Sequence, residues 1–124
     1  MAAERGTRVL RVAEGVRQEL ASLIADEVHD PGAAGAVVTR VEMTSDLKSA
    51  RVQIRLLEGG DDAPRRVAVV EALGRASGML RREVTQRLGL RYAPQLRFVY
   101  DDGQDRTARV EEILAEIEAE RRRK

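Results

Sequence analysis

Near His29-Asp30-Pro31-Gly32 the apolar residues of this chain change period, and that switch limits the possible folds more than any other feature. Before it, Val9, Val12, Ala13, Val16, Leu20, Leu23 and Ile24 recur in steps of three and four. That spacing lays one apolar stripe along a helix over residues 7–28, with Thr7 placed as its N-cap. Pro31 disfavours a helical residue before it and Gly32 tolerates a sharp reversal, so the helix stops there. His29 reads as a C-terminal capping residue. After the switch, Val37, Thr39, Val41 and Met43 alternate with Val38, Arg40, Glu42 and Thr44, the period of a half-buried strand.

Ser45-Asp46-Leu47-Lys48 is a turn candidate leading to a second strand. There Ala50, Val52, Ile54 and Leu56 alternate with Arg51, Gln53 and Arg55, and the short connection favours an antiparallel hairpin. A polar loop over residues 58–64 ends in Pro64, suited to a first helical turn. Residues 64–88 then carry Val69, Leu73, Ala76, Leu80, Val84 and Leu88 on one side, interrupted by Gly74 and Gly78. Each glycine costs about 1 kcal/mol relative to alanine inside a helix. Two within five residues predict a bend, with two helices meeting near Ala76-Ser77-Gly78 and Gly89 ending the second. Leu96, Phe98 and Tyr100 mark a third strand, and Val110, Ile113, Leu114 and Ile117 a last amphipathic helix capped by Asp105. The order predicts an α+β domain, helices covering one face of a three-stranded sheet. The expected division is a flexible N-terminus over 1–6, the domain over 7–102, and a helix with a basic tail over 103–124.

Length and composition narrow the function. The 124 residues fit one domain, and 43% apolar with 35% charged residues suits a globular chain. No cysteine is present, so disulfides, thiolate catalysis and cysteine-ligated zinc are excluded. No apolar run nears the roughly 18 residues of a membrane span, and the N-terminus lacks a signal peptide's apolar stretch, so a cytoplasmic protein is expected. The net charge of +1 hides segregation. Acids gather at 58–62, 101–105 and 111–120. Bases gather at Arg5, Arg8 and Arg11, at Arg75, Arg81, Arg82, Arg87 and Arg91, and at residues 121–124. Only Lys48 and Lys124 of the 22 basic residues are lysine. Arginine grips phosphate in two-pronged fashion, which suits nucleic acid, although GC-rich codon usage gives the same excess.

Several segments in this order resemble the ribosome-binding factor A family, a variant of the type II KH fold. They are Arg11-Val12-Ala13, Asp30-Pro31, Val41-Glu42-Met43-Thr44-Ser45-Asp46-Leu47, Ala50-Arg51-Val52, the stretch from Leu73 to Arg81, Leu88-Gly89-Leu90-Arg91, and the stretch from Pro94 to Asp102. The likeness spans about Arg8 to Leu114. It implies a factor that binds the free small (30S) ribosomal subunit and assists 16S rRNA maturation, including 5′-end processing, above all in cold growth. It implies no catalysis and no cofactor. In the family an Ala-x-Gly kink between two helices replaces the KH glycine loop; here that kink is Ala76-Ser77-Gly78. Gly32-Ala33-Ala34-Gly35 matches the KH loop as a string, but it joins a helix to a strand and reads as a flexible connector.

The RNA-binding set expected from these residues is Arg75, Ala76, Ser77, Gly78, Arg81 and Arg82 at the bend, with Arg8 and Arg11 on the first helix. Gly78 lets a phosphate backbone approach closely, and the helix start after the bend offers unpaired N–H groups. Arg75 and Arg82 share a face of a regular helix, with Arg81 beside it. Arg51, Arg55 and Lys48 read as a solvated sheet face. The aromatics Tyr92, Phe98 and Tyr100 are few, so recognition is expected to rest on shape and phosphate rather than stacking. A single histidine leaves no triad or histidine-rich metal site, Asp101, Asp102 and Asp105 lack calcium-loop spacing, and no Walker loop is present. The expected protein is a monomer without metal, membrane or small-molecule substrate. The competing reading is a module whose last helix and acidic segments dock another ribosome-associated protein.

Overall fold

The computed structural model describes residues 2–103, the side chains of 2–5 apart, together with helical positions 117, 120 and 122. The expected C-terminal helix, its Asp105 cap and the basic tail thus fall almost wholly outside the described residues. The elements in order are α1 (Ala2–Glu27), a 3-10 turn (Pro31–Ala33), β1 (Ala36–Met43), β2 (Ser49–Leu56), α2 (Ala63–Arg75), α3 (Ser77–Leu88) and β3 (Gln95–Tyr100). Helix α1 starts at Ala2, so Thr7 is an interior residue rather than the N-cap, and residues 2–6 continue the helix.

The period-3.6 stripe of α1 buries as its spacing dictates: Val16, Leu20 and Leu23 are wholly enclosed. Burying each such side chain contributes about 1.5–3 kcal/mol. They meet Val38, Val41, Val52, Ile54, Leu96 and Phe98 from the sheet, and Val69, Leu73, Leu80 and Val84 from α2 and α3, in one core. The sheet order is β1-β2-β3. The β1–β2 hairpin is antiparallel, whereas β3 joins β2 in parallel, since the α2–α3 crossover returns the chain to the same end.

Strand β1 departs from simple alternation. Its register with β2 shifts between Val38 and Arg40, which leaves Thr39 as an extra, bulged residue. Val38 and Val41 therefore both face the core, and Val37, expected opposite Val38, stays exposed. The Thr39 hydroxyl makes use of the bulge by donating to Asp101 Oδ2 at 2.8 Å.

The segment after α1 is ordered by contacts rather than left as a flexible connector. Asp30 caps the 3-10 turn and accepts from the Gly32 N–H at 2.9 Å. A Cβ on Gly32 would stand 3.2 Å from that of Ala72, so glycine lets this turn press on α2. His29 is exposed and makes no side-chain hydrogen bond among the described residues, so it does not cap α1, and Asp30 caps the next turn instead. Among the described residues no helix is long and apolar enough to cross a membrane.

Candidate nucleic-acid interface

The bend falls within the predicted Ala76-Ser77-Gly78 stretch, at Ala76. Ala76 is the one residue between α2 and α3, at φ −84° and ψ −3°. Its N–H is shared between the carbonyls of Ala72 (3.2 Å) and Leu73 (3.1 Å). Its small side chain packs on the core, which holds the angle. Leu80 N–H reaches the Ala76 carbonyl at 3.0 Å, so Ser77, Gly78 and Met79 form the first turn of α3, where a helix leaves donors unpaired. That end carries a partial positive charge.

Gly74 and Gly78 are both exposed, both lie within helices at negative φ, and a Cβ added to either would meet nothing within 4 Å. Neither the turn nor the packing needs glycine there. The two positions lay bare backbone along the outer face of the helix pair, bordered by Arg75 and Arg82. Replacing both with alanine is therefore expected to stabilise the fold by about 2 kcal/mol. A methyl group at either position would also hold a phosphate backbone off this face. Chemical unfolding of the double variant checks the gain in stability.

The expected residues do not form one cluster. Arg82 is exposed and has no ion pair among the described residues. Arg75 is exposed but donates from Nε and Nη2 to Asp30 Oδ2, at 3.1 and 2.8 Å, tying the end of α2 to the 3-10 turn. The Asp30 carboxyl is held below its usual range, first by that arginine and then by the Gly32 N–H. Arg81 is engaged elsewhere: Nε donates to the Pro94 carbonyl at 3.0 Å and Nη2 to that of Ala93 at 3.1 Å. It clasps the α3–β3 loop. Arg8 and Arg11 sit near the other end of α1. α1 runs against α3 so that Gly15 abuts Leu88 and Glu19 pairs with Arg87 at 3.2 Å. Nineteen helical residues separate Arg8 from Glu27, about 28 Å at 1.5 Å each.

Arg8 instead borders a groove of about 720 Å³ between α1, the β1–β2 turn and the α3–β3 loop. Tyr92 stands on this groove, 56% exposed, with the Arg91 guanidinium 5.4 Å and the Lys48 ammonium 6.0 Å from its ring centre. Sequence reasoning gives Tyr92 no role. Its signal is that it alone of the aromatics lies outside an alternating strand, beside an arginine.

An α+β sandwich of this order, with a kinked helix pair in place of a glycine loop, is a KH-like fold, and comparison with known proteins gives the family. The family model of ribosome-binding factor A matches residues 8–114. The chain is 49% identical over 110 residues to the ribosome-binding factor A of Sorangium cellulosum, covering 89% of this chain and 88% of that one. It is 40% identical over 107 residues to that of Desulfatibacillum aliphaticivorans, covering 86% and 85%. The crystal structure of ribosome-binding factor A from Thermus thermophilus shares the fold, with a TM-score of 0.64 at 21% identity over 74% of this chain and 93% of that one. A Thermus thermophilus ribosome-binding factor A model fitted into a cryo-electron microscopy map of a complex with the 30S subunit gives 0.58 at 22%, over 73% and 92%. This chain belongs to the ribosome-binding factor A family.

Proposed function

We propose that this protein is a cytoplasmic assembly factor that binds the free 30S subunit through 16S rRNA. As a monomer it assists maturation of that RNA, including its 5′ end, and breaks no bond itself. The observation that carries the reading is the bare-backbone face of Gly74 and Gly78, open to solvent and bordered by Arg75 and Arg82. Helix packing gives no reason for those glycines, whereas close approach of a phosphate backbone does. Family membership and the 30S complex of the Thermus relative agree with it.

Salt tests the reading. Neutralised phosphates release counterions, so log K for purified small subunits should fall linearly with log salt, by roughly 0.7–0.9 per phosphate contacted. Two or more contacts at the kink predict a slope steeper than about −1.4. A binding constant that stays flat between low and high salt would instead favour docking onto a protein of the subunit.

A further inference from the structure

We propose that the groove beneath Tyr92 takes an unstacked nucleobase of single-stranded RNA, with Tyr92 as its stacking surface and Arg8, Lys48 and Arg91 on the flanking phosphates. The proposal rests on the rRNA-binding reading above, and gives it a second contact some distance from the kink. It also departs from the expectation that stacking plays little part.

Three observations carry it. The first is the ring itself: Tyr92 is the only exposed aromatic among the described residues, at 56%, whereas Phe98 is buried and Tyr100 half-buried. The second is the floor. Val12, Leu47 and Leu88 line the groove, an apolar bed for a flat ring, and about 720 Å³ is ample for one nucleotide. The third is charge. Arg8 and Arg91 make no ion pair or side-chain hydrogen bond among the described residues, and Lys48 lies over the ring. Among the described residues one carboxylate lines the groove, that of Asp46; it is exposed, and its Oδ1 accepts from the Thr44 hydroxyl at 2.7 Å and the Lys48 N–H at 3.0 Å. Those bonds hold its carboxyl below the usual range, the Thr44 hydroxyl first. Three cations against one ionised carboxylate leave the rim net positive, which attracts phosphate.

The fold builds this place into its rigid part. The Asp46 bonds fix the β1–β2 turn, in which Leu47 takes a left-handed φ of 63°, an unfavourable conformation for a branched side chain. The Gln95 N–H donates to the Lys48 carbonyl at 2.8 Å, locking that turn beside the loop that carries Tyr92. The ring and its cations are thus held together before any ligand arrives. A base that stacks on the ring displaces one of the two cations resting on it, and that cation turns to the adjoining phosphate.

Titration of the intact protein with hexaadenylate RNA, followed by NMR of the tyrosine ring resonances, tests this. The Tyr92 resonances should move upfield while those of Tyr100, whose hydroxyl accepts the Leu56 N–H at 3.2 Å, stay in place. Tyr92→Ala should weaken hexaadenylate binding roughly five- to hundredfold, and Tyr92→Phe should restore it to within about twofold. A Tyr92 ring that stays still while only the amides of Lys48 and Arg91 shift would overturn the proposal, since phosphate attraction alone would then explain binding. So would full affinity in Tyr92→Ala, or a peptide rather than RNA moving the ring. If the Tyr92 arms fail yet reversal of Arg75 and Arg82 still abolishes subunit binding, only the groove falls. If both fail, the rRNA reading falls with it.

Discussion

Changing Arg75 and Arg82 together to glutamate is expected to weaken binding to free small subunits by about a hundredfold or more at low salt. Each arginine is exposed on the face that Gly74 and Gly78 leave bare, and a charge-assisted bond to phosphate is among the strong ones. The reversal removes two such bonds and adds two repelling charges. The fold should survive, because the ion pair that Arg75 makes with Asp30 is solvent-exposed and such pairs contribute little. Two companion variants separate the causes. Asp30→Asn breaks the pair but keeps the cation, so subunit binding should be retained. Arg82→Glu leaves the pair untouched and should still lose about tenfold. Co-sedimentation with subunits, alongside a melting curve, reads all three; unchanged binding in the double variant would take the kink out of the interface.

Leu80→Ala should cost about 2–5 kcal/mol of stability. Leu80 is wholly buried in the core with Leu73, Val84 and the inner face of the sheet, one turn beyond the bend. A domain of this size holds about 5–15 kcal/mol in all, so the variant sits near the edge of folding. Its loss would also free α3 to rotate about Ala76, which misplaces Gly78 and Arg82. Leu88→Ala offers the contrast. Leu88 is only half-buried against Gly15, and its truncation should cost less than half as much. Urea unfolding followed by circular dichroism compares the two; equal losses would mean that α3 is not anchored at its first turns.

Much of this architecture is written in local pattern. The 3.6 period of α1, the alternation of β2 and the pair of glycines near Ala76 act over a few residues, so the helix, the hairpin and the bend could all be read from residue order. The break in β1 could not. Thr39 looks like any strand residue, and its bulge exists because Val38 and Val41 are both drawn to a core that forms only when α1 packs on the sheet. The parallel pairing of β3 with β2 likewise follows from where the crossover helices pack.

At the site the division is sharper. The sequence by itself determined that the helix bends near Ala76-Ser77-Gly78 and that Arg75 and Arg82 share a face, because helical spacing assigns faces without any partner. Only the tertiary structure decided what each arginine touches. It joined Arg75 to Asp30, 45 residues away in the chain, and turned Arg81 onto the carbonyls before β3. It carried Arg8 away from the bend and set Tyr92 among Lys48 and Arg91. Charge and aromaticity belong to residues, but access to a ligand belongs to contacts between segments remote in sequence, and those contacts exist only once the core has closed.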